Sequence, residues 1–164
     1  MKTEEASSQA GSAVAAEEQL VVFDLGAESY GVEIGRVQEI IRMTSITRLP
    51  RAPEFVEGVI NLRGRVIPVI DLRKRFGLPG EDEAKGSRIV VMDVADQTLG
   101  MVVDGVSEVL RISAKEVEPP SPVVTTIDSD YLRGIAKLEG RLIILLDLDR
   151  LLSWDERGQL AAVA

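Results

Sequence analysis

The stretch GVINLRGRVIPVIDLRKRFG, residues 58–77, returns 76 positions later as GIAKLEGRLIILLDLDRLLS, residues 134–153. Gly58, Leu62, Gly64, Arg65, Ile67, Asp71 and Leu72 reappear as Gly134, Leu138, Gly140, Arg141, Ile143, Asp147 and Leu148. A second block, QLVVFDLGAESYGVEIGRVQEII, aligns with RIVVMDVADQTLGMVVDGVSEVL at a shift of 69. There Asp24, Gly31, Val37 and Glu39 meet Asp93, Gly100, Val106 and Glu108. Two blocks repeated in one order indicate an internal duplication, so the fold must be a pair of like units. Each unit would be marginal alone, and the second copy is the natural packing partner of the first.

Within each copy the pattern is that of short strands rich in Val, Ile and Leu, punctuated by glycines. LVVFDL and SYGVEI read as a hairpin, and so do GVINL and RVIPVI around Arg63–Gly64, where glycine supplies a positive φ at no steric cost. DLRKRFG reads as a helical turn with Asp71 as N-cap and Gly77 as its stop. RVQEIIRM fits either a helical turn or a bent strand. Residues 1–18 lack apolar periodicity and read as a disordered tail. The polar loop LPGEDEAKGS separates a first barrel over about 19–80 from a second over about 86–155, with exchange of strands between them left open. Residues 156–164 read as a C-terminal helix or tail. The expected fold is all-β: two side-by-side five-stranded barrels with short helical turns and a short C-terminal helix.

Composition removes several function classes. The 164 residues include no Cys and no His, which excludes disulfides, thiol chemistry, Ser–His dyads, His-ligated zinc and phosphohistidine on this chain. A net charge of −8 argues against nucleic acid as a partner. No segment reaches the roughly 20 apolar residues of a membrane helix, and the acidic N-terminus has no apolar signal core, so a cytoplasmic protein is expected. Asp71 and Asp147 occupy equivalent positions, as the carboxylates of a duplicated aspartic protease do. They are followed by Leu–Arg and Leu–Asp rather than small residues, and both stand where caps are needed. No catalytic, metal or cofactor site is expected.

The differences between the copies point to binding. Arg63 stands at a hairpin tip where the second copy has Glu139. A guanidinium there can fork onto a partner's carboxylate. Residues 58–77 carry Arg63, Arg65, Arg73, Lys74 and Arg75 against Asp71, a net of +4, whereas residues 134–153 are neutral. The first copy therefore reads as a basic docking surface for an acidic partner. Pro68, opposite Ile144 in the repeat, places RVIPVI at or near a sheet edge, either to accept side-chain docking or only to resist strand addition.

The segments YGVEIGRVQEI, GVINLRGRVIPVIDLRKRFG and GMVVDGVSEVL closely resemble the CheW-like coupling proteins of bacterial chemotaxis, over about residues 19–153. The resemblance implies two SH3-like barrels. It also implies a non-enzymatic adaptor between a CheA-type histidine kinase regulatory domain and the cytoplasmic tip of methyl-accepting chemoreceptors, recruited to membrane-associated arrays without inserting in the membrane. It further implies that Val37, Glu39, Gly58, Asn61, Arg63, Gly64 and Val106 serve receptor or kinase binding, the glycines chiefly by shaping the surface. Which receptor array such an adaptor serves is not legible in the residues.

Overall fold

The computed structural model describes residues 17–78, 86–120 and 129–161. In chain order its strands are β1 (Glu17–Leu25), β2 (Glu28–Glu33), β3 (Val37–Arg42), β4 (Val56–Leu62), β5 (Arg65–Asp71), β6 (Arg88–Val94), β7 (Gln97–Val103), β8 (Gly105–Ser113), β9 (Val117–Glu118), β10 (Leu132–Leu138) and β11 (Arg141–Leu146). Two short helices, α1 (Leu72–Phe76) and α2 (Trp154–Ala161), complete it. The ambiguous RVQEIIRM is strand β3, entered through a 3-10 turn at Ile34–Arg36.

The strands form two sheets, in the orders β3-β6-β7-β5-β4 and β8-β1-β2-β11-β10-β9. Each curls toward closure at an equivalent place. In the first barrel Thr47, beyond β3, exchanges backbone hydrogen bonds of 2.8 and 2.9 Å with Val59 of β4. In the second, β8 continues through a 3-10 turn into β9, which pairs with β10. At both closures the chain passes so near that no side chain fits. A Cβ on Gly58 would lie 2.1 Å from the Thr47 carbonyl oxygen, and one on Gly134 2.7 Å from that of Glu118.

The barrels are not the two halves of the sequence. Hairpin β1–β2 belongs to the sheet of β8, β10 and β11, while β6–β7 belongs to the sheet of β3, β4 and β5. The limits 19–80 and 86–155 therefore do not bound the barrels, and the exchange left open by the sequence is the arrangement found. The chain crosses between barrels at Ile34–Arg36 and again at Asp104. The tail also ends sooner than expected, because Glu17 and Glu18 already pair in β1 with Ser113 and Ile112. Residues 1–16 lie outside the described residues, as do 79–85 within the polar loop. Helix α2 starts at Trp154, ahead of the expected 156, and Ser153 and Glu156 cap it reciprocally at 3.2 and 2.8 Å.

Exchange accounts for the packing. β1 turns Leu20 and Val22 into the second barrel, and Val21, Phe23 and Leu25 into a layer between the barrels. Its counterpart β6 likewise turns Ile89 and Val91 into the first barrel, and Val90, Met92 and Val94 into that layer. Strands buried on both faces need unbroken apolar runs, hence LVVF and IVVM. All the described aromatic rings (Phe23, Tyr30, Phe55, Phe76, Tyr131) lie in or against this layer, while the barrel interiors are aliphatic.

Pro68 does not lie on an edge strand. β5 runs between β4 and β7, and Pro68 is buried opposite Val59. The proline is accommodated because the parallel β5–β7 ladder begins only at Val69↔Gly100. In the second barrel the equivalent ladder already runs through Ile144↔Tyr30. The missing donor has thus moved the ladder along the strand rather than the strand to the edge.

Gly58→Ala is expected to lower unfolding stability by at least about 2 kcal/mol, because the new methyl must displace the Thr47 backbone that closes the barrel. Urea denaturation measures this, and an unchanged midpoint would show the closure to be dispensable.

Candidate functional site

The β4–β5 hairpin ends in a two-residue turn, Arg63 at φ 52° and Gly64 at φ 86°. Both central residues left-handed is the turn geometry that matches strand twist. Asn61 fixes it from within, its side-chain oxygen accepting the Gly64 N–H at 2.8 Å. Arg63 is consequently held at the tip with its side chain 70% exposed. Its guanidinium forks onto the Glu39 carboxylate of β3: Nη1 donates to Oε1 at 3.3 Å and Nη2 to Oε2. That carboxylate raises the Arg63 pKa further above its ordinary value.

The rim beside the tip is a polar lattice. Gln38 donates to Asp93 at 2.6 Å and to Thr98 at 3.2 Å, and Arg65 donates to Thr98 at 3.1 Å. Arg36, at the crossover into β3, donates to the Asp93 carbonyl at 3.1 Å and to Asp149 at 2.9 Å. A register shift between Val37 and Glu39 against β6 accommodates Gln38 in this lattice. The sequence reading passed over Gln38, Asp93 and Thr98. Their signal was the polar interruption of otherwise apolar strand ends.

The expected site residues separate into three groups. Arg63 and Glu39 meet directly, and Asn61 and Gly64 build the turn that presents them. Gly58 is buried at the barrel closure. Val37 and Val106 are half-buried and pack against the inter-barrel layer at equivalent positions of different sheets.

The basic island expected over residues 58–77 is not a single docking face. Arg73 pairs with Asp104, Lys74 with Glu57 at 2.6 Å and Arg75 with Glu156 at 2.8 Å. Arg75 also stacks on the Phe55 and Tyr131 rings, 4.6 and 5.1 Å from their centroids. Three of the five bases therefore tie α1 to neighbouring elements, and their acidic partners Asp104, Glu57 and Glu156 all lie outside residues 58–77, where the charge sum did not count them. Arg63 and Arg65 remain at the tip.

Asp71 and Asp147 do not form a carboxylate pair. Each caps its own turn, Asp71 accepting from the backbone of Arg73 at 2.9 Å and Lys74 at 3.4 Å, and Asp147 from that of Asp149 at 3.2 Å. Among the described residues no cluster of three or more carboxylates suits a metal ion, and no helix is long and apolar enough to cross a membrane.

The profile of the CheW-like domain matches residues 19–156. The chain belongs to the CheW-like family. It is 38% identical to the chemotaxis protein CheW of Klebsiella aerogenes over 147 residues, covering 90% of this chain and 89% of that protein. Identity to the CheW of Thermotoga maritima is 34% over 137 residues, covering 82% and 87% of the two chains. The crystal structure of the scaffolding protein TtCheW from Thermoanaerobacter tengcongensis superposes with a TM-score of 0.78 at 45% identity, covering 85% of this chain and 90% of that one. The resemblance drawn from the three motif segments is therefore correct, and so is the expected all-β fold. By family this CheW-like chain is a chemotaxis scaffold.

Burial, followed by the nearby Glu57 charge, raises the Asp71 carboxyl above its ordinary value, against the opposing backbone hydrogen bonds. Ionisation of Asp71 thus opposes folding at neutral pH, and the opposition fades as pH falls through the raised value. Asp71→Asn keeps a capping oxygen, and it should equal or exceed wild-type stability at pH 7 and lose that margin near about pH 4. Asp71→Ala forfeits the cap and should cost about 1 kcal/mol. Urea melts at both pH values distinguish these outcomes; an Asn variant weaker than wild type at pH 7 contradicts the account.

Proposed function

We propose that this chain couples chemoreceptors to a CheA-type histidine kinase, holding the kinase regulatory domain against the cytoplasmic receptor tips within membrane-associated arrays. The observation that carries the reading is the Arg63–Glu39 fork. It joins an exposed arginine to a half-buried glutamate at a tight left-handed turn, and neither residue belongs to the core. A surface pair of this kind adds little to stability, so its geometry is better explained by what it presents. Arg63 has donors in excess of those Glu39 accepts, and a partner's carboxylate can take them up without the guanidinium having to be ordered first.

The body behind the tip suits a scaffold. Two barrels joined through one shared apolar layer cannot move independently without opening it, so a load placed on one barrel is passed to the other. Such a part catalyses nothing. It favours those receptor and kinase arrangements in which both partners meet it at once, and the differential contacts set the kinase equilibrium.

Two purified probes test the reading: a receptor cytoplasmic fragment and the kinase regulatory domain from the same cell. The wild-type chain should bind both in calorimetry. Arg63→Glu should weaken at least one of them about tenfold or more, the loss expected of a reversed charge at an interface. Its Tm should stay within about 2 °C of wild type, as for a surface change. Wild-type affinity for both probes in that variant would remove Arg63 from the interface, and binding of neither probe by the wild-type chain would overturn the coupling role itself.

A further inference from the structure

The two barrels differ at the end where β6 begins and β7 finishes. In the second barrel Arg133, near the start of β10, reaches across to Glu18 of β1 and to Glu33 of β2, the latter at 3.8 Å. The repeat places Glu57, Ser87 and Val102 at the corresponding positions of the first barrel. Ser87 and Val102 carry no charge, and Glu57 pairs instead with Lys74 of α1 at 2.6 Å. All three residues line a cavity of about 640 Å³. The cavity thus lies where the twin barrel has an ion-pair bridge.

The chain beyond β3 widens the difference. In the second barrel the closure at Glu118 comes seven positions after Arg111, and the segment between winds into a 3-10 turn capped by Ser113 and Glu116. In the first barrel the closure at Thr47 comes five positions after Arg42, and the shorter segment takes no regular form. Its residues Met43, Thr44, Ser45 and Ile46 line the cavity. Met43 is half-buried, whereas its counterpart Ile112 is fully buried. Thr44 and Ser45 are exposed, so a solute can reach their hydroxyls.

The charge left over at this end is positive. The carboxylates of the lining are each engaged, Glu57 by Lys74, Asp104 by Arg73 and Asp71 by backbone N–H groups of α1. Arg48, also in the lining, forms no ion pair among the described residues. It lies near enough to Lys74 for its charge to oppose protonation of that amine. Arg42 and Arg88, next in the chain to Met43 and Ser87, stand opposite one another in the β3–β6 ladder, again without an ion pair among the described residues. Like charges so placed repel, and the second barrel has Gln19 opposite Arg111 instead. An anion at this end relieves the repulsion.

We propose that this cavity of the first barrel binds a small phosphorylated molecule. The phosphoryl group sits between Arg48 and Lys74, with the Thr44 and Ser45 hydroxyls as further donors, and the organic body rests on Met43, Ile46 and Val102. A phosphoryl group offers three terminal oxygens, which match these donors better than the two of a carboxylate. The volume is in the range that holds small-molecule ligands and exceeds what inorganic phosphate alone fills. No lining residue belongs to the Arg63–Glu39 fork or to the polar lattice beside it, so the site is separate from the surface assigned to protein partners.

Calorimetry on the full chain tests this with inorganic phosphate, glucose 6-phosphate and glucose, all at one ionic strength set with sodium chloride. The wild-type chain should bind both phosphate compounds saturably and glucose not at all. Arg48→Gln should weaken glucose 6-phosphate about tenfold, the loss expected of one charge-assisted contact. Thr44→Glu, at an exposed position, sets a carboxylate against the phosphoryl group and should weaken it at least as much. Arg63→Glu, outside the cavity, should leave it within about twofold. Glucose 6-phosphate should also raise the Tm of wild type more than that of Arg48→Gln, because it binds only the folded chain. Two exposed positions keep the test valid if one variant proves unstable. Absence of saturable binding by either phosphate compound, equal binding of glucose, or wild-type affinity in both cavity variants overturns the proposal. Each of these leaves the coupling role standing, since neither receptor fragment nor kinase domain enters the measurement.

Discussion

The apolar layer between the two barrels is the contact on which the rest of the molecule depends. β1 and β6 are each shared between a barrel interior and that layer, so neither barrel is complete without a hairpin supplied from the other half of the chain. Two interiors made only of aliphatic side chains would be marginal alone. The layer adds the aromatic rings and most of the larger aliphatic groups. Fully burying one such side chain contributes about 1.5–3 kcal/mol, so the shared layer outweighs any single surface pair. It also makes the molecule one mechanical body, which a scaffold holding two partners at fixed geometry requires.

The polar features are built onto that body by pairs that reach across it. Arg73–Asp104 and Arg75–Glu156 fasten α1 to the crossover and to α2, and Asp104 also accepts the Gly26 N–H at 2.6 Å, anchoring the β1–β2 turn. The charges that remain at the rims are arranged by the tips. With one reversed residue, Arg63 against Glu139, the strand carboxylates meet different arginines: the tip Arg63 holds Glu39, and the strand Arg141 holds Glu108. A difference of one side chain has thus given two copies of one hairpin unlike surfaces. Duplication followed by divergence at exposed positions achieves this without disturbing the shared core.

Much of the architecture was legible because it is local. The Arg63–Gly64 turn, the Asp71 cap with Gly77 as stop and the alternation of the strands each depend on residues a few positions apart. The family was legible for a similar reason, since its motifs are contiguous. The role of Asn61 in the turn and the fork between Arg63 and Glu39 came into view only with coordinates. A spacing of 24 residues says nothing about which carboxylate a tip arginine meets. The basic island misled because charge was summed along the chain, whereas the compensating carboxylates of Arg73, Lys74 and Arg75 come from other elements. Pro68 misled because a missing donor was taken to exclude an inner strand, when displacement of the ladder accommodates it equally well.

By itself, then, the sequence determined that two like β-units form, which turns join their strands and that the copies differ in tip charge. These follow from backbone sterics, side-chain periodicity and residue identity, all expressed within a few residues. Only the tertiary structure decided that the first hairpins change places, that the largest core lies between the barrels and that the tip arginine is clasped by Glu39, while among the described residues the opposite tip glutamate forms no ion pair. Because the duplicated halves offer nearly equivalent strand partners, local pattern is the same whether a hairpin stays or crosses. Burial of β1 and β6 on both faces favours the exchanged form, and that is a property of the whole fold rather than of any segment.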